Sequence, residues 1–179
     1  GMNMTFSTTG CGACVDNNYC DAAGDDASLE WLESVTVGTI GNTSGNDGGY
    51  ADFTSFSTDL EMGQVYDITL TPGYLGQPYS EQFIVWIDFN QDGDFDDADE
   101  QLYDSGLVDA QVVGEISIPT DILEGGTRMR ISMKYNGAPT SCENPFDYGE
   151  VEDYCVNILP ATTAPCNTPT DVSASNITE

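Results

Sequence analysis

From about residue 29 onward, short runs of alternating apolar and polar residues recur along the chain, separated by Gly, Asn, Asp and Pro. Tyr66, Ile68 and Leu70 alternate with polar neighbours, and Ile116 and Ile118 do the same. A period of two puts successive side chains on opposite faces of a strand. The pattern predicts strands over 34–40, 51–57, 64–71, 82–89, 112–118, 128–135 and 152–159. No stretch sustains a 3.6-residue period, although 97–102 is compatible with a turn or two of helix. About seven to nine strands at this spacing predict an all-β fold, an antiparallel β-sandwich of jelly-roll or immunoglobulin-like kind.

Two of these runs carry more information. Phe83, Val85, Ile87 and Phe89 share one face, while Ile84 and Trp86 occupy the other. A strand apolar on both faces is central to its sheet, or has its second face covered by a loop or a ligand. Trp86 is read first as core, with a sugar-stacking platform as the alternative. The run 128–135 holds every cation in the chain. Arg128, Arg130 and Lys134 have one parity; Met129, Ile131, Met133 and Tyr135 have the other and are expected to face the core. Carboxylates on a neighbouring strand should meet the arginine forks, and Glu150, Glu152 and Asp153 are the expected partners.

Charge narrows the function. Against 31 acidic residues the 179-residue chain has three basic ones and no histidine, a formal charge of −28. Nucleic-acid phosphates and anionic lipid surfaces both require Lys or Arg as counterions, so neither is an expected partner. Without histidine there is no Ser-His-Asp or Cys-His dyad and no His-containing zinc site. Such acidity suits saline surroundings, where salt screens self-repulsion. Six cysteines, at 11, 14, 20, 142, 155 and 166, favour structural disulfides in an oxidising, extracellular compartment over a zinc site on Cys11 and Cys14. Their connectivity is open; an N-terminal cysteine joined to Cys142 or Cys155 would staple the first and last strands.

The segment 88–100 carries the chemistry. It places seven acids in thirteen residues, and counting from Asp88 puts oxygen side chains at positions 1, 3, 5, 9 and 12, with Gly93 at position 6. This is the spacing of a calcium loop, in which the glycine makes the sharp turn and a hard cation relieves carboxylate repulsion. The expected Ca²⁺ ligands are Asp88, Asn90, Asp92, Asp94 through its carbonyl, Asp96, and Asp99 or Glu100. Asp99 is one methylene shorter than the usual closing Glu, and Glu100 is the substitute. The preceding residues are strand-forming, so this is no EF-hand. An affinity of roughly 10⁻⁴ to 10⁻³ M or somewhat tighter is expected. The loop 41–52 either adds oxygen ligands or is a long turn.

Gly149-Glu150-Val151-Glu152-Asp153-Tyr154 resembles the signature of the GEVED domain family. The rest of that pattern is similar too: Asn42 to Asp52 with Gly48-Gly49-Tyr50, then Val85-Trp86-Ile87-Asp88-Phe89-Asn90-Gln91-Asp92-Gly93-Asp94, then Thr127-Arg128-Met129-Arg130. The resemblance covers about 19–159. It implies a β-sandwich accessory module of large secreted or surface bacterial proteins, without catalytic activity. Residues 1–18 read as a linker, and 160–179 as a linker followed by what resembles the opening of a fibronectin type III domain.

Three functions are weighed. The first is a monomeric, calcium-stabilised module that binds polysaccharide or another extracellular polymer through Trp31, Tyr50, Tyr74, Tyr79 and Trp86. The second is a spacer or adhesion domain rigidified by calcium between neighbouring domains of its chain. A carboxylate-only glycosidase using Glu150 and Glu152 is the weakest, because arginine partners account for those acids.

Overall fold

Turn residues divide the chain into β1 (Gly24–Asp26), β2 (Glu30–Val37), β3 (Ile40–Thr43), β4 (Tyr50–Glu61), β5 (Val65–Tyr74), β6 (Glu81–Ile87), β7 (Gln101–Val108), β8 (Val112–Ser117), β9 (Gly125–Tyr135) and β10 (Phe146–Leu159). The computed structural model describes Cys14 and residues 17–162. Among these the fold is all-β, with two packed sheets. One runs β1-β10-β9-β6-β7, with β4 also on β10; the other runs β3-β2-β5-β8. The pairing is antiparallel except along one edge of β10, where β1 and then β4 pair in parallel. The expected antiparallel β-sandwich is present, and these two parallel pairings are its exception.

The core fills the space between the sheets. Leu32, Val35, Val37, Ile68 and Leu70 from the smaller sheet meet Phe83, Val85, Ile87, Met129, Ile131, Met133, Tyr154 and Val156 from the larger, all fully buried. The alternation read from 128–135 therefore holds as far as Met133. Tyr135 breaks it: at the end of β9 it is 42% exposed.

The outer face of the larger sheet is also covered. Tyr19 and Phe95 stack at 5.2 Å between centroids and pack with Ile84 and Trp86. Ala22 packs on Phe146 and Val151. Two disulfides, Cys14–Cys155 and Cys20–Cys142, fasten the N-terminal segment to this face. Through Cys14 and Asn17 the segment read from the sequence as a linker is tied to the sandwich. Cys11, Cys166 and the fibronectin-like segment lie outside the described residues.

Three strands escaped the sequence pattern. β7 is a half-exposed edge strand with no clean alternation, and it replaces the helical turn expected at 97–102, where only Glu100 closes a turn with Asp97. β1 and β3 have three and four residues. Such strands carry too few positions to show a period.

Candidate metal centre

β6 delivers Asp88 to the rim of the sandwich. Thr127 Oγ donates to its carbonyl at 2.6 Å, and its own amide bonds to the Arg128 carbonyl. The Asp88 carboxylate is fully buried. Its Oδ2 accepts from Tyr19 Oη at 2.6 Å and from the Gly93 amide at 3.1 Å, while Oδ1 has no hydrogen-bond partner. From there the chain turns in steps. Asn90, Asp92 and Asp94 each accept, through a side-chain oxygen, the amide two residues on, at 3.0, 3.2 and 3.0 Å. Gly93 takes φ +97° at the sharpest point, and Asn17 of the N-terminal segment lies where a side chain would stand.

Glu100 closes the ring. Its Oε1 accepts the Phe89 amide at 2.8 Å, and its Oε2 is buried without a partner. Burial pushes its carboxyl up to about 7, with the Asp88 charge adding to the effect and backbone donors opposing it. Farther out, oxygens of Asp92, Asp94 and Asp97 lie within 4.8 Å of one another. Asn90 Nδ2 reaches both Asp92, at 2.9 Å, and Asp97, at 2.5 Å. The loop therefore has an inner carboxylate pair, Asp88 and Glu100, and an outer acidic trio. Asp96 and Asp99, chosen by position counting, lie outside that trio, whose members are exposed like them. Asp97, not among the expected ligands, lies within it; the density of acids was its only signal. A cleft of about 580 Å³ opens beside the loop, lined by Phe89, Asn90, Asp97, Glu100, Ile122 and Leu123 among others.

The arginine face lies behind this loop. Arg130 forks onto Asp153, and Arg128 Nη1 approaches the same carboxylate at 3.3 Å. Arg128 also lies over the Tyr19 ring and Arg130 over Phe95. Glu150 and Glu152 do not share this face, and the expectation that they pair with the arginines is corrected. They alternate with Asp153 along β10 and so point between the sheets. Glu150 accepts the amides of Leu32 at 3.0 Å and Asp47 at 2.7 Å, while Glu152 accepts Ser44 Oγ and Tyr154 Oη, each at 2.6 Å. These acids hold the 44–49 loop. Gly149 precedes them at φ +125°, where a Cβ would collide with the Met133 carbonyl.

The expected aromatic platform divides. Trp86 is 3% exposed, so it is core and no stacking surface. Trp31 lies across Gly73 and donates to Glu33 at 2.6 Å; Tyr50 donates to Asp153 at 3.1 Å. Tyr74 and Tyr79 instead begin a continuous row with Tyr135 and Tyr148, centroids 6.3, 5.9 and 6.2 Å apart and edge to face. Tyr148 also borders a depression with Asp25, Asp26 and Asp147.

This arrangement can be set beside known proteins. Residues 82–157 match the GEVED domain. That span runs from β6 through the acidic loop and the arginine strand to Asn157 on β10; β1 to β5 complete the sandwich outside it. No curated protein matches the chain. Among solved structures, a family 123 glycoside hydrolase from Clostridium perfringens, described for glycolipid glycan hydrolysis, is similar at TM-score 0.39 and 12% identity. The likeness covers 59% of this chain and 22% of the hydrolase, too little to bear on chemistry.

Proposed function

We propose that the chain is a GEVED-family accessory module of an extracellular protein, without catalytic activity, and that its 88–100 loop binds Ca²⁺. The observation that carries the metal reading is the pair of buried, unpartnered oxygens, Asp88 Oδ1 and Glu100 Oε2, beneath Asn90 and the acidic trio. A buried carboxylate oxygen with no donor is costly, and a hard cation that takes six to eight oxygens removes that cost. The two disulfides support an oxidising compartment. The burial and backbone bonding of Glu150 and Glu152 speak against their acting on a substrate.

The test is a calorimetric melt in Ca²⁺ and in EDTA, with direct Ca²⁺ titration of wild type and Asp92→Asn/Asp97→Asn. At Ca²⁺ of about 100 times Kd, the loop should contribute about 2.7 kcal/mol of stability. Identical melts of wild type and the double variant under both conditions would refute the reading.

The partner we propose is a neutral extracellular polysaccharide lying on the row Tyr79, Tyr135 and Tyr148. Tyr135 and Tyr148 are exposed and Tyr79 half-buried; aromatic rings suit sugar C–H faces, and the neighbouring carboxylates accept hydroxyl hydrogens. A row built edge to face is less flat than a stacking platform. That favours the second reading, a calcium-rigidified spacer between neighbouring domains, should glycan binding be absent.

A further inference from the structure

The start of β6 repeats the anomaly found at its end. Glu81 is 0% exposed, and neither carboxylate oxygen has a hydrogen-bond partner. Its parity is that of Phe83, Val85 and Ile87, so it points between the sheets. Glu30, at the start of β2 in the facing sheet and 3% exposed, points into the same space with Leu32. Tyr74, paired with Glu30 across β2 and β5, brings its phenol there and donates to the Tyr79 carbonyl at 3.1 Å.

Charge balance is the difficulty. Burial, and then the charge of Glu30, push the Glu81 carboxyl up to about 8. Burial, and then the charges of Glu81, Asp109 and Glu30, push up the Tyr74 phenol as well. The chain has three Lys and Arg in all, and each is engaged on the outer face of β9: Arg128 and Arg130 with Asp153, Lys134 with Glu143. No Lys or Arg lies on the inner faces to balance an ionised Glu81.

We infer that Glu81 and Glu30 hold a second hard cation of the Ca²⁺ class between the two sheets, at the end of β6 opposite the acidic loop. Oxygen donors of this type, two carboxylates with a carbonyl and a phenol beside them, suit such an ion and not a soft metal. The ion joins β2 to β6, so its effect is on sheet-to-sheet packing. This inference stands apart from the loop reading.

Stoichiometry separates the two sites. Ca²⁺ titration, with Tb³⁺ luminescence excited through tyrosine, is made on the whole chain as wild type, Asp92→Asn/Asp97→Asn, Glu81→Gln and Glu30→Gln. Wild type should bind two equivalents. The loop variant should keep one, together with a Ca²⁺-dependent rise in Tm, and Glu81→Gln should keep only the other. Glu30→Gln should weaken the same equivalent at least tenfold, which serves if Glu81→Gln does not fold. One equivalent that survives Glu81→Gln and disappears with the loop variant overturns the inference while leaving the loop intact. A Tm raised in Glu81→Gln regardless of Ca²⁺ also overturns it, since a proton then neutralises Glu81. One equivalent lost only in Glu81→Gln would instead refute the loop site.

Discussion

Arg130 and Asp153 stand directly opposite on β9 and β10 and join through both arms of the guanidinium, Nε to Oδ1 and Nη2 to Oδ2, each at 2.8 Å. Both side chains are buried, and Arg130 Nη1 is taken up by the carbonyls of Cys20 and Ser141 at 2.8 Å each. The pair ties the two central strands to the segments that cover them.

Removing one member leaves a charge stranded. Asp153→Ala should lower unfolding free energy by about 3–5 kcal/mol, whereas Arg130→Met with Asp153→Leu should recover most of the loss. Urea unfolding reads both. A single variant within about 1 kcal/mol of wild type would mean that water reaches the guanidinium.

Tyr19 connects the N-terminal segment to the acidic loop. Burial, and then its bond to Asp88, push its phenol up to about 12, so it stays a donor at any ordinary pH. Tyr19→Phe should cost roughly 1.5–3 kcal/mol, the range for a hydrogen bond to a charged group. It should also weaken Ca²⁺ binding, because Asp88 loses the contact that orients it. Unfolding and Ca²⁺ titration of the variant check the two effects separately.

Glu152 predicts the direction of pH dependence. Burial, with the charges of Glu150 and Asp47 adding, pushes its carboxyl to about 8, against the opposing hydrogen bonds of Ser44 and Tyr154. The folded state therefore holds a proton that the unfolded chain, with its ordinary carboxyl near 4.5, releases. The stability from this group is fully present below about pH 4.5 and is lost as pH rises through about 8, at no more than about 1.4 kcal/mol per pH unit. Glu152→Gln should flatten the curve of unfolding free energy between those limits. An unchanged slope would show that the group is ionised throughout.

Cys20–Cys142 spans 122 residues of sequence. In the chain-entropy account, closing so long a loop contributes about 5 kcal/mol. Cys20→Ser/Cys142→Ser should lower stability by up to that amount in a thermal melt, and added reductant, which also opens Cys14–Cys155, should lower wild type at least as far.

The tyrosine row gives the ligand prediction. Tyr135→Ala with Tyr148→Ala should reduce retention on a neutral polysaccharide column at least tenfold, with the variant still folded cooperatively but melting lower, since both rings are only about 40% exposed and meet edge to face. Equal retention of wild type and variant favours the spacer.

Where period and parity are local, the sequence was readable. Phe83 to Ile87 showed a strand apolar on both faces, and both faces are covered. Asp88, Asn90, Asp92 and Gly93 marked a turning acidic loop, because the side-chain oxygens of Asn90 and Asp92 each accept the backbone amide two residues on. Asp97 and Glu100 were harder to place, since which acid folds back depends on where β7 begins. Glu81 gave no signal: a single Glu before an apolar run looks like a solvated strand end.

The chain by itself determined the all-β class, the two-faced β6, the cationic strand and the acidic turn. Each follows from spacing along one segment and from the scarcity of positive charge. Only the tertiary structure decided which acid meets which cation. Parity shows that Glu150 and Glu152 alternate with Asp153, but not which of the two faces looks toward Arg130. That choice rests on the pairing of β10 with β9 and on Leu32, Ser44 and Asp47, brought up from distant sequence by the facing sheet.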